Sequence, residues 1–156
     1  MNLIEAAGQG NITAVRDALE KGADVNARNN GGETALMHAS TYGHTETAKL
    51  LIEKGADVNA RDNSGGTALI WTSRNGHTET VKLLIEKSAN VNTKDNNGFT
   101  VLMYASGQGH TETAKLLIEK GADVNARNNG GYAVLMYASK AGHTEIVNML
   151  KTAGAL

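Results

Sequence analysis

The sequence predicts an all-α solenoid, a stack of short helix-turn-helix units joined by hairpin-like turns. Three observations carry this. The segment Gly43-His44-Thr45-Glu46-Thr47-Ala48-Lys49-Leu50-Leu51-Ile52-Glu53-Lys54 returns 33 residues later from Gly76, again from Gly109, and fades in a last copy from Gly142. A fixed period of this length means a row of like units. Each copy also carries two short stretches with apolar residues at helical spacing, too short to bury their own stripe, so neighbours must share a core. Turn signals of the Asn-Gly kind separate the copies: Asn30-Gly31, Asn63-Ser64-Gly65, Asn96-Asn97-Gly98 and Asn129-Gly130-Gly131.

Laid over one another, the copies give three full units at 28–60, 61–93 and 94–126, flanked by capping units at 1–27 and 127–156, all within one domain. Each unit opens on a turn whose Asn and Gly tolerate positive φ. A first helix follows, Thr34 to Thr41 in the first full unit, with Leu36 and Ala39 at i, i+3 on an inward face. Gly43-His44 ends it. The second helix runs from about Thr45 to Lys54 with Ala48, Leu51 and Ile52 on one stripe and Leu50 beside it. Gly55 stands where a left-handed cap is wanted, and Ala56-Asp57-Val58-Asn59-Ala60 leads extended into the next turn. Asp17 replaces the leucine of Leu50, Leu83 and Leu116, and Lys151 replaces the isoleucine of Ile52, Ile85 and Ile118. One charge at each end is expected to face outward and stop the stack, so the sequence reads as a complete array rather than a slice.

The period, the turn plus two helices, and the phrases Gly-His-Thr-Glu and Lys-Gly-Ala-Asp-Val-Asn-Ala resemble the ankyrin repeat over essentially the whole chain. The resemblance implies an elongated, slightly curved solenoid. It also implies a non-enzymatic binding protein that grips a partner protein with its turn tips and the groove lined by its first helices. The chain departs from the family pattern in informative places. The usual Thr-Pro-Leu-His start is replaced by Thr34-Ala35-Leu36-Met37 and its copies, with Met37, Ile70, Met103 and Met136 in the histidine slot. The threonine-to-histidine bond is therefore absent, and first-helix starts are expected to lose rigidity. Ser88 replaces the capping glycine and marks the expected softest junction. Copies this alike arise by recent duplication or in designed ankyrin scaffolds built as engineered binders. The lack of proline and the irregular Ser88-Ala89-Asn90 favour a natural or naturally derived sequence.

Composition narrows the function classes. Hydrophobic residues make up 40% and charged residues 20%, so a core can form and bulk disorder is disfavoured. A net charge of -1 argues against a protein built to neutralise many phosphates. Single strands stacked on the aromatic strip would need a basic track where only Arg74 and Lys140 stand against Glu33, so no nucleic acid partner is expected. With no cysteine there is no disulfide framework, thiolate metal site or cysteine nucleophile. The amino end lacks a signal-peptide pattern and no apolar run can cross a bilayer, so a cytoplasmic monomer with no membrane role is the default expectation.

Comparing the copies separates scaffold from variation. The turn-tip slot holds Glu33, Gly66, Phe99 and Tyr132. A first-helix slot holds His38, Trp71, Tyr104 and Tyr137, and the pair closing that helix reads Thr41-Tyr42, Arg74-Asn75, Gly107-Gln108 and Lys140-Ala141. All six aromatic residues fall in these changing slots. Positions 38, 41 and 42 share one helix face, so stacked units align them into a strip. The His38/Trp71/Tyr104/Tyr137 slot reads equally as packing between first helices and as contact surface. Phe99 and Tyr132, beside turn glycines, are expected to be exposed and to serve as contact residues. Partner-binding residues are thus expected among Glu33, His38, Thr41, Tyr42, Gly66, Trp71, Arg74, Asn75, Phe99, Tyr104, Gln108, Tyr132, Tyr137 and Lys140.

Other constellations read as structure. His44, His77, His110 and His143 recur about 8–10 Å apart, too far to share an ion, and are read as loop braces rather than metal ligands. Asp57-Val58-Asn59 with Asp62 lacks the glycine and closing glutamate of a calcium loop. Asn11-Ile12-Thr13 matches a glycosylation sequon without a secretion signal. Glu46, Lys49 and Glu53 are expected to pair along the helix surface. No nucleophile, base and orienting residue stand at suggestive spacing, so no catalytic residue and no cofactor are expected. The alternative to a protein partner is a small molecule, such as a sugar, in the groove by Trp71 and Tyr104.

Overall fold

The computed structural model describes residues 1–156 as ten helices in five pairs, with no strand. The pairs are α1 (Leu3–Gly8) with α2 (Ile12–Glu20), α3 (Ala35–Thr41) with α4 (Thr45–Glu53), and α5 (Ala68–Arg74) with α6 (Thr78–Glu86). Then come α7 (Val101–Gly107) with α8 (Thr111–Glu119), and α9 (Val134–Lys140) with α10 (Thr144–Thr152). Along the stack the main packing runs from first helix to first helix and from second to second, so the molecule has two helical layers. One continuous core runs between them, with Leu36, Leu51, Leu69, Leu84, Leu102 and Leu117 fully buried. The turns are hairpin-like: Lys94 pairs with Thr100 and Arg127 with Ala133 in isolated antiparallel bridges. Asp17 and Lys151 are exposed at the two ends.

First helices begin on threonine caps. The Oγ1 atoms of Thr34, Thr67 and Thr100 accept from the backbone N–H of Met37 (3.3 Å), Ile70 (3.3 Å) and Met103 (3.2 Å). The loss of rigidity expected from the missing histidine is partly made good by sulfur. Met37 Sδ accepts from Thr34 N at 3.4 Å and Met103 Sδ from Thr100 N at 3.5 Å. Ile70 has no such atom, and α9 begins on Ala133 with no side-chain cap at all.

Three sets of polar side chains hold neighbouring pairs together. Asn26, Asn59, Asn92 and Asn125 each donate to a backbone carbonyl of the following pair, those of Gly55, Ser88, Gly121 and Gly154, at 3.1–3.2 Å. Each also accepts a backbone N–H there, from Asp57, Asn90, Asp123 and Leu156. At the turns, Asn63, Asn96 and Asn129 donate Nδ2 to the carbonyls of Asn30, Asn63 and Asn96. The loop histidines act the same way: His44, His110 and His143 donate Nε2–H to the carbonyls of Gly8 (3.0 Å), Arg74 (2.9 Å) and Gly107 (3.3 Å). Their rings explain the loop glycines, because a Cβ on Gly10, Gly43, Gly76 or Gly109 would lie within 2.6 Å of the next ring. Asn11 caps α2, its side chain accepting from Ala14 N at 3.0 Å.

Three details differ from the sequence reading or sharpen it. The Glu46, Lys49 and Glu53 pairs do not form; the one contact between a basic and an acidic side chain is His38 Nε2 with Glu33 Oε2 at 3.0 Å. Ser88 is the one non-glycine residue at positive φ (70°), in the slot where Gly55 and Gly121 adopt 95° and 90°. Ser40, Thr72, Ser73 and Ser106 bury hydroxyls that have no hydrogen-bond partner.

Candidate functional site

The turn and the first helix are tied together by a residue absent from the candidates named above. Asn29, Asp62, Asp95 and Asn128 open the turns, and one oxygen of each accepts two backbone N–H groups of its own turn. For Asp62 these come from Ser64 (2.8 Å) and Gly66 (2.9 Å), for Asp95 from Asn97 (2.9 Å) and Phe99 (3.0 Å). The second polar atom then reaches the variable slot on the first helix. Trp71 Nε1–H donates to Asp62 Oδ2 at 2.7 Å, and Tyr104 O–H donates to Asp95 Oδ2 at 2.7 Å. Asn128 reverses the sense, its Nδ2 donating to Tyr137 Oη at 2.6 Å. In the first of the four turns the link is relayed: Asn29 Nδ2 donates to Glu33 Oε2 at 2.7 Å, and His38 Nε2 stands 3.0 Å from the same oxygen. The signal was in the sequence as an Asp or Asn nine residues before each variable ring.

These ties decide how the changing slots are presented. Trp71, Tyr104 and Tyr137 are half-buried, so they both pack and face solvent. The ring centroids of Trp71 and Tyr104 are 6.2 Å apart, and Arg74 places its guanidinium 5.7 Å from each. Such contacts are favourable by about 0.5–1 kcal/mol at exposed sites. Phe99 corrects an expectation: instead of projecting from its turn it lies half-buried, 5.4 Å from the Tyr104 ring and 5.3 Å from that of Tyr137. Apolar area drives it down onto two rings that its backbone already faces. Gly66 is likewise not available to a partner. It is buried beneath the Trp71 ring, which a Cβ there would meet at 2.5 Å. Tyr132 is 56% exposed and Tyr42 is 58% exposed. Thr41 donates its hydroxyl to Met37 O (2.7 Å), and Asn75 donates Nδ2 to Thr41 O (2.9 Å), so both serve the helix ends. Arg74, Gln108 and Lys140 are exposed along the rim.

Between Tyr104 and Tyr137 lies a trough of about 490 Å³, floored by Phe99 and Met103 and rimmed by Gln108 and Lys140. It opens at Gly107, in the slot where α5 carries Arg74. Nothing in the backbone asks for glycine there: φ is not positive, and a Cβ would meet only Tyr137 Cβ at an ordinary 3.6 Å. Glycine in the middle of a helix costs about 0.5–1 kcal/mol relative to alanine; as the last residue of α7, Gly107 gives up no more than that, and leaves space in return. A smaller hollow of about 190 Å³ lies between Glu33, His38, Tyr42 and Trp71.

The carboxylates of the strip are engaged rather than free. The hydrogen bond from Asn29 and then that from His38 hold the Glu33 carboxyl below its ordinary range. Burial pushes Asp62 up, but the hydrogen bonds from Ser64, Gly66 and Trp71 outweigh it and hold the carboxyl below its ordinary range. Burial first, and then Asp95, push the Tyr104 phenol up, so it stays protonated as a donor. The arrangement thus offers stacked apolar faces with fixed polar edges, and its carboxylates are spent on the scaffold.

A profile of the family described as Ankyrin repeats (3 copies) matches residues 3–95 and again residues 88–155. The chain belongs to the ankyrin repeat family. Members of this family are generally protein–protein interaction modules without enzymatic activity of their own. Over 41 residues, 26% of the chain, the protein is 58% identical to a relative from Oryza sativa subsp. japonica described as "Probable E3 ubiquitin-protein ligase XBOS33". The matched stretch spans 8% of that relative's length. No helix of this ankyrin array is long and apolar enough to cross a membrane.

Proposed function

We propose that the chain is a non-enzymatic protein-binding module that engages its partner through the strip formed by the first helices and the turn tips. One observation carries the reading: the slots that differ between copies converge on one face, where side chains from successive pairs touch one another. The constant apolar slots are consumed by the core, and the constant asparagines and loop histidines by hydrogen bonds between neighbouring pairs. Rings locked by Asp62, Asp95 and Asn128 lose little freedom when a partner covers them, which lowers the ordering cost of association.

The test is capture of partner proteins by the full chain from a cell extract, set against two variants. In one, Trp71, Tyr104 and Tyr132 are replaced by alanine; in the other, only the exposed Tyr42 and Tyr132 are. Specific capture should disappear in the first and weaken in the second, with helical content by circular dichroism retained in the second. Capture unchanged in both would overturn the reading. A small molecule such as a sugar is the second reading, favoured by the volume of the Gly107 trough. That trough is open to solvent, whereas small-molecule sites enclose most of their ligand.

A further inference from the structure

We propose that the Gly107 trough is the anchor subsite of this surface. Its occupant is an extended segment of a partner protein that places one apolar side chain between Tyr104 and Tyr137 and an acidic residue beside it. The proposal rests on the reading of the strip as a protein-binding surface. Three observations point to it. The missing side chain at Gly107 opens room between two rings, although the backbone there accepts a Cβ without strain. The walls and floor are apolar or aromatic, which suits a side chain such as Leu, Met or Phe desolvated on several sides. The charge is one-sided: Lys140 is the one charged residue lining the trough, and Arg74 lies across the Tyr104 ring. The carboxylate bonded to its Tyr104 wall, Asp95, is occupied by Tyr104 O–H and by the N–H groups of Asn97 and Phe99. A basic segment would meet uncompensated cations at the rim, whereas an acidic one pairs with Lys140 and Arg74.

Short random peptides displayed on phage and selected on the full chain test this directly. Enriched sequences should join Leu, Met or Phe to a neighbouring Asp or Glu. A labelled synthetic peptide of the enriched sequence should lose about tenfold or more in affinity to Gly107→Arg and to Lys140→Glu, as removal of one good contact implies. The slot already hosts Arg74 in α5, so Gly107→Arg is expected to fold. Gly107→Ala should raise the melting midpoint by about 2–4 °C, the shift expected for a small gain in a chain of this size, while weakening the same peptide. Enrichment of basic peptides, affinity unchanged in Gly107→Arg, or no enrichment at all would overturn the subsite. If such peptides still lose binding on Tyr42→Ala with Tyr132→Ala, the interaction surface stands and only the subsite falls. If they do not, both fall; if no peptide is enriched, capture of partner proteins by the full chain and by the same double variant decides whether the surface stands.

Discussion

In residues 61–93 the turn slot is Gly66 and the helix slot is Arg74; in residues 94–126 the turn slot is Phe99 and the helix slot is Gly107. The two stretches carry the same core leucines, the same threonine cap and the same Asp-to-ring tie. They distribute bulk in opposite directions. In the first, the Trp71 ring lies flat over a bare turn and Arg74 fills the space towards Tyr104. In the second, Phe99 folds in from the turn and the helix side is left hollow. The lesson is that a uniform scaffold acquires a local shape by trading volume between two slots, within helices of the same length and the same cap.

The Asp-to-ring tie gives the sharpest way to break that equivalence, because Trp can only donate while Tyr can also accept. Asp62→Asn leaves its Nδ2 facing Trp71 Nε1–H, donor against donor, and should cost about 2–3 kcal/mol as a buried group loses its partner. Asp95→Asn can adopt the arrangement seen between Asn128 and Tyr137 and should cost under about 1 kcal/mol, one ordinary hydrogen bond. Urea denaturation of the two variants checks the inequality, and equal losses would undo the donor argument. Acid sharpens the same contrast. Because the folded state holds Asp62 below its ordinary range, its contribution is complete at neutral pH. It fades as pH drops through the ordinary carboxylate range, and is gone below the depressed value. The Asp62→Asn variant should therefore show a flatter stability profile in acid than the parent.

Smaller effects separate the two stretches at their closing caps. Ser88→Gly should stabilise by up to about 1 kcal/mol by relieving a left-handed non-glycine residue, and Gly121→Ser should destabilise by a similar amount. Melting midpoints of both variants read this out. Ser106→Ala and Ser73→Ala should each stabilise slightly, by about 0.5–1 kcal/mol, since a buried unpartnered hydroxyl is removed and helix propensity rises. A loss on Ser106→Ala would show that its hydroxyl has a partner in solution.

Much of this was legible in the residues alone. The period fixed the helix pairs, and comparing copies located the strip, because side chains repeated identically must serve what repeats, the stacking. Ser88 was recognisable as the odd cap because its equivalents are glycines. The directions of the variable rings were not legible. Whether Phe99 points out or in depends on Tyr104 and Tyr137, which lie in different pairs. The ties of Asp62 and Asp95 run between positions nine apart in a turn and a helix, a separation that no single-element periodicity marks. Gly107 read as one more member of the changing pair that closes the first helix, and only its φ and its surroundings show that the backbone has no need of glycine.

The spacing of the first helices has a consequence of a metrical kind. Packed helices lie about 8–10 Å apart, whereas an extended strand advances about 3.3 Å per residue and turns its side chains to alternate faces. A strand laid along the strip would meet successive pairs every third residue, presenting opposite faces in turn. An α-helix, rising 5.4 Å per turn, drifts out of step. A polyproline II segment has three residues per turn at 3.1 Å each, so it shows one face at nearly the interval of the stack. The molecule is thus a ruler whose graduations match that left-handed helix better than either regular structure built on backbone hydrogen bonds.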